Sequence, residues 1–114
     1  MKLPHAESAV IPAAKIKAYL LCLAHREGRS KAEWFIRHGF SAEQWERLAE
    51  ALRQHAYENE LAREEESRFG RRYIVEGPVR APDGRRPLLR VVWFAEKGAM
   101  PPRLVTAYPL ESSR

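Results

Sequence analysis

The chain is almost free of cysteine. Cys22 is the single one in 114 residues, so no disulfide can form within the chain, and a disulfide-stapled secreted scaffold is excluded. Set among Leu20, Leu21 and Leu23, Cys22 reads as a small buried hydrophobe, and the expected compartment is a reducing cytoplasm. Long apolar runs are missing too. The longest, Ala18 to Ala24, has seven residues, against ~20 for a membrane-spanning helix, so no membrane partner is expected. The N-terminus, Met1-Lys2-Leu3-Pro4-His5, lacks the apolar segment of a secretory signal. The four histidines, His5, His25, His38 and His55, form no HxxxH or HExxH pair and there is no CxxC, so no metal site is expected. Neither GxxxxGK(S/T) nor GxGxxG occurs, and no Ser or Cys sits in a nucleophile elbow. No cofactor is expected either.

Charge of one sign is the minority. Lys and Arg number 20 against 15 acids, a net charge of +5. Five of the cations are lysine and 15 are arginine. The guanidinium binds carboxylate and phosphate through a planar fork, so an arginine-heavy surface suits anionic partners. It also fits base composition or thermostability with no ligand at all. A charge of +5 permits contact with nucleic acid without requiring it. Hydrophobic residues at 45% and charged residues at 31% describe an ordinary globular chain and not a disordered one. The length allows one core.

Two regimes divide the chain: a helical part, 1–58, and a sheet part, 59–110, within a single domain spanning 1–114. The expected class is α+β, with three N-terminal helices packed on one face of a four-stranded antiparallel meander sheet. Pro4 to Ile11 reads as an extended arm. Helix one starts at Pro12 and runs to about Leu23, with Ile16, Leu20 and Leu23 at helical spacing. Helix two opens at Ser30, whose partner Glu33 completes a capping box, and stops at Gly39. Helix three opens at Ser41 with Gln44 as reciprocal partner and buries Trp45, Leu48, Leu52 and Ala56. The strands are expected at Leu61 to Ser67, an acidic edge, at Arg72 to Val79, at Leu88 to Ala95 and at Arg103 to Tyr108. Phe69-Gly70 and Pro82-Asp83-Gly84 mark turns. One sheet face is left open, since no further element remains to cover it.

Strand alternation places Leu89, Val91 and Trp93 on one face and Arg90, Val92 and Phe94 on the other. In the last strand it groups Leu104, Thr106 and Tyr108 against Arg103, Val105 and Ala107. Both faces are largely apolar, so parity alone does not choose the one that meets the helices. Arg90 is the informative residue. A charge in the most hydrophobic strand is either paired, with Glu76 the candidate, or exposed as an anion-binding group. His38 and His55 read as helix C-terminal residues that complement the dipole. His25 stands in a polar loop six residues before Lys31. An imidazole near neutral pKa can serve as acid or base, and a lysine can hold an anionic transition state. A solvated loop histidine and lysine fit the same residues. Ser30 as N-cap, with Arg29 and Lys31 beside it, makes an anion-favouring helix start. Tyr19, Trp34, Phe35 and Trp45 read as core rather than base-stacking platforms.

Leu3-Pro4 with Ala9-Val10-Ile11-Pro12, His25 followed by Gly28-Arg29-Ser30-Lys31-Ala32, Gly39-Phe40, Tyr73-Ile74-Val75-Glu76-Gly77-Pro78, and Arg90-Val91-Val92-Trp93 with Val105-Thr106-Ala107-Tyr108-Pro109 form an ordered set. In that order they resemble a family of small uncharacterised bacterial domains, found alone or at the C-terminal tips of polymorphic toxins. The family's layout is similar to the barnase, EndoU, colicin E5/D and RelE-like nuclease fold. The resemblance spans Leu3 to Leu110 and implies metal-free cleavage of RNA phosphodiesters. Carried across residue by residue, it implies a catalytic set of His25, Lys31, Arg90, Thr106 and Tyr108, with RNA as substrate and a cognate antitoxin or immunity protein as partner. No histidine falls in the sheet half, which departs from a two-histidine mechanism. The rival expectation is a non-catalytic RNA- or protein-binding module, or a regulatory subunit of a neighbouring gene product.

Overall fold

Helices come first along the chain and strands after. The structure, a computed structural model, describes residues 1–24 and 29–110. α1 (Ala13–Lys15) follows Pro12 and runs into a π-helical turn, Ile16–Leu20. α2 is Arg29–Arg37 and α3 is Trp45–Glu58. β1 (Leu61–Ser67), β2 (Gly70–Pro78), β3 (Leu88–Glu96) and β4 (Arg103–Pro109) follow. All neighbours are antiparallel, in the order β1-β2-β3-β4. The expected helices followed by a four-stranded meander are therefore the fold, with β1 at one edge.

Local chemistry sets the boundaries. α2 stops at Gly39, whose φ of +100° suits a residue without Cβ. Gly39 N–H donates to Ile36 O at 3.0 Å and Phe40 N–H to Phe35 O at 3.1 Å, the paired bonds of a Schellman stop. The Phe35 and Phe40 rings close over it at 5.9 Å. His38 stands at the same end, with Nδ1 2.8 Å from Trp34 O. α3 buries Leu48, Ala51, Leu52, His55 and Ala56, a stripe at three- and four-residue spacing. That stripe meets Val75, Leu89, Val91 and Trp93 of the sheet in one apolar cluster.

The helices therefore pack on the Leu89–Val91–Trp93 face. Alternation in β4 is broken, however. Thr106 pairs with Val92 and Leu104 with Trp93, so Val105 is an extra residue, a β-bulge. The bulge puts both Leu104 and Ala107 in the core, where strict alternation separates them. It leaves Thr106 and Tyr108 opposite Val92 and Arg90, on the other side.

Several local expectations are corrected. The arm is not extended throughout: Ala6–Ser8 form a 3-10 turn and Val10 bridges Arg103 in parallel. The cause is Arg53, whose guanidinium donates to Ala6 O (2.7 Å), Glu7 O (3.2 Å) and Ala9 O (3.0 Å). The first helix ends at Leu20, because Leu21 N–H reaches back to Ile16 O at 2.8 Å and the widened turn brings Leu21 into the core. Leu23 is left 47% exposed and Cys22 only half-buried. α2 begins at Arg29, so Ser30 lies inside it and is no N-cap. Glu33 pairs with Arg29 at 3.2 Å instead. α3 begins at Trp45, after a turn in which Gln44 N–H meets Ser41 O at 3.2 Å and the expected Ser41 side chain accepts from the same N–H at 3.3 Å. Most of the expected loop, His25 to Gly28, lies outside the described residues.

Candidate functional site

Lys31 projects from α2 toward the β4 edge. Its ammonium donates to Tyr19 Oη at 2.5 Å and to Thr106 Oγ1 at 3.2 Å. It also lies 4.8 Å from the Tyr19 ring centroid and 5.5 Å from that of Tyr108. An ammonium has three N–H donors, so hydroxyls engage two and one is left over. Among the described residues no carboxylate pairs with it. Among the described residues this part-buried cation is held by hydroxyls and ring faces, which leave its charge uncompensated. The same contact acts on Tyr19. Its hydrogen bond with Lys31 holds the phenol below its ordinary pKa against burial, which opposes it, and the Thr106 hydroxyl adds to the lowering.

Tyr108 connects Lys31 to the sheet. It is the register partner of Arg90, and Arg90 that of Glu76, so one row crosses three strands. Arg90 Nε meets Glu76 Oε2 at 2.6 Å and Nη1 donates to Tyr108 Oη at 3.3 Å. Of the two readings of Arg90, the ion pair with Glu76 is the one realised. Both partners keep a third of their side-chain surface exposed.

Beside this row opens a groove of about 430 Å³ lined by Ser30, Lys31, Trp34, Arg37, Tyr108 and Pro109. Its lining has two cations and no acid. Four of the five expected site residues, Lys31, Arg90, Thr106 and Tyr108, thus meet in one network at the α2–β4 rim. His25, the fifth, lies outside the described residues. Tyr19, Trp34 and Arg37 were not among the expected residues. Tyr19, Trp34 and Trp45 are half-buried and pack against the core rather than lying wholly within it, and Trp34 packs on His38 at 4.2 Å. The spacing Lys31, Trp34, Arg37 was legible, since residues three apart share a helix side. A second hollow, about 230 Å³, lies at the far end of the sheet. There Glu66 and Glu96 balance Arg71 and Lys97, and none of the expected site residues lines it. Among the described residues no group of three or more His, Cys, Asp or Glu is placed to hold a metal, and no helix is long and apolar enough to cross a membrane.

Helices ahead of a four-stranded meander, with a cationic groove at the rim, define a small α+β domain. More particularly, the chain belongs to the DUF6883 family, a domain of unknown function, which matches residues 2–111. Its fold is similar to that of a chain in a contact-dependent growth inhibition toxin–immunity protein complex from Klebsiella pneumoniae 342. The TM-score is 0.71 at 19% identity, over 94% of this chain and 97% of that chain. At that identity the fold is what is shared. No curated protein matches the sequence.

Proposed function

We propose that the chain is a toxin-type endoribonuclease that works without metal. The observation that carries this reading is Lys31, a part-buried ammonium that among the described residues has one unused donor and no carboxylate partner, at the edge of an acid-free groove. In the proposed reaction the 2′-hydroxyl oxygen bonds to the adjacent phosphorus and the P–O5′ bond breaks. The products are a 2′,3′-cyclic phosphate and a 5′-hydroxyl. His25 takes the 2′ proton. The Tyr19 phenol, made more acidic by Lys31, gives a proton to the leaving oxygen. Lys31 stabilises charge on the non-bridging oxygens, and Thr106 orients its ammonium. Arg90, through Tyr108, fixes the wall of the groove. A toxin of this kind needs a cognate immunity protein, and a fold shared with a chain of a toxin–immunity complex is compatible with one.

The rival reading is a non-catalytic RNA- or protein-binding module, and it draws on the neutralisation of Arg90 by Glu76. The purified protein is incubated with mixed RNA in EDTA beside Lys31→Ala and His25→Ala. Cleavage by the wild type, reduced at least a hundredfold in both variants, is expected. Equal background cleavage by all three removes the nuclease reading. Growth arrest on expression, relieved by a neighbouring gene, separates toxin from binding module.

A further inference from the structure

We infer that the α2–β4 groove is a subsite for single-stranded RNA, in which one base stacks on Trp34 and a neighbouring phosphate is held by Arg37. This rests on the nuclease reading for its substrate, and it assigns residues which that reading does not use. Lys31, Trp34 and Arg37 lie three residues apart along α2 and all line the groove. The six-residue step from Lys31 to Arg37 is about 9 Å of helix rise. The row therefore runs cation, aromatic, cation, the same alternation as the phosphate, base and phosphate of a single strand. Sequence-tolerant single-strand sites combine a positive groove with an aromatic platform in this way. Tyr108 and Pro109 form the opposite wall, so a base lies between two largely apolar surfaces.

The charges support an anionic occupant. Arg37 is exposed, and among the described residues its side chain has no hydrogen-bond or ion-pair partner, whereas Arg29 of the same helix is paired with Glu33. Trp34 packs edge-to-face with Phe35 at 5.1 Å and against the His38 ring at 4.2 Å, and Phe35 is fully buried. The platform is thus fixed before a base arrives, which lowers the ordering cost of binding. A paired duplex keeps its bases stacked on one another and has none to offer to Trp34.

The test uses a 2′-O-methyl oligonucleotide, which binds but has no 2′-hydroxyl to attack, with dissociation constants read by fluorescence anisotropy. Trp34→Phe retains a ring for packing and is expected to weaken binding several-fold. Trp34→Leu is expected to weaken it about tenfold or more. Arg37→Gln is expected to weaken binding several-fold and to flatten the salt dependence by about 0.7 in log–log slope. Arg68→Gln, which removes an exposed charge from the β1–β2 turn, should do neither. On cleavable RNA, Arg37→Gln should raise KM while kcat holds. Binding that depends on Trp34 and Arg37 without any turnover upholds the subsite and removes the nuclease reading. Cleavage that needs Lys31 but ignores Trp34 and Arg37 does the reverse. Equal affinity for the single strand and for its duplex, or binding only to a protein partner, overturns the subsite.

Discussion

Replacing His55 by glutamine probes the frame from which Arg90 projects. His55 is 1% exposed, and its Nε2 lies 3.1 Å from Gly77 O and 3.0 Å from Leu89 O. Those residues face each other across β2 and β3, immediately beside Glu76 and Arg90. Both neighbours are acceptors, so Nε2 carries the hydrogen and donates. Nδ1 is buried and has no partner among the described residues. Burial holds the pKa of His55 below its ordinary value, outweighing the two carbonyls and the Glu58 charge, which pull it upward. The unfolded chain therefore takes up the proton first as pH falls. The stability due to neutral His55 is complete above the unfolded pKa of about 6.5. It declines below that by at most about 1.4 kcal/mol per pH unit. Glutamine keeps an N–H donor and does not titrate. At pH 8 the poorer fit is expected to cost about 1–3 kcal/mol. Urea unfolding of both proteins at pH 8, 7, 6 and 5 measures the difference, in which every shared carboxylate cancels. The wild-type curve should fall more steeply between pH 7 and 5, so that the two converge. Parallel curves across that range would refute the reasoning.

Two more changes test the packing around the site. A Cβ at Gly77 would stand 1.9 Å from Asn59 Oδ1, and Asn59 Nδ2 caps α3 while tying it to β2 through His55 O and Pro78 O. Gly77→Ala should cost about 1–3 kcal/mol and clearly less in an Asn59→Gly background, as read by a double-mutant cycle; an unchanged cost there rules out the clash. Arg53→Ala removes three bonds to the arm and should cost about 2 kcal/mol. Amide exchange should quicken at Ala9 and Val10 before it does in β3, and uniform quickening would count against a local clamp.

β2, β3 and β4 were legible because each carries β-branched or aromatic residues between turn-forming ones; β1, which has neither, showed only weak alternation and an acidic run. Pro82-Asp83-Gly84 does form the turn between β2 and β3, with Gly84 N–H bonded to Ala81 O at 3.0 Å. Caps were legible where glycine decided them, as at Gly39, and misread where a side chain had a better partner, as Glu33 did in Arg29. The β4 bulge was hidden because Val105 and its neighbours are apolar on both parities. The clamp by Arg53 was hidden because its acceptors are backbone carbonyls, which carry no residue signature. His55 shows the same blindness: its place near a helix end suggested a dipole role, but both acceptors belong to strands. In the site, Lys31 and Thr106 are 75 positions apart and meet at 3.2 Å, and only the family resemblance joined them. Trp34 and Arg37 needed no resemblance, but Trp34 looked like core because a tryptophan is usually more valuable inside.

The uncovered face of the sheet offers a polyanion little uncompensated charge, and Glu76 is part of the reason. Ile74 and Val92 on that face are buried although they lie outside the helix-facing core cluster. The arginines around them are compensated. Arg63 and Arg72 pair with Glu65 at 2.8 and 3.5 Å, Arg90 with Glu76 at 2.6 Å and Arg103 with Glu96 at 3.4 Å. Among the described residues, positive charge without a carboxylate partner is left at the rim, on Lys31 and Arg37. Glu76→Gln removes the compensation of Arg90 and keeps the shape, so it adds one effective positive charge beside Tyr108. Because the pair is one-third exposed, its loss should lower stability by no more than about 1 kcal/mol. Single-stranded RNA should bind more tightly at low salt, and its log–log salt dependence should steepen by about 0.7. Glu65→Gln frees charge on Arg63 of β1 and Arg72 of β2, neither of which lines the groove, and should leave that slope as it is. Equal slopes for Glu76→Gln and Glu65→Gln would place Arg90 off the path of the bound strand and confine the binding charge to α2.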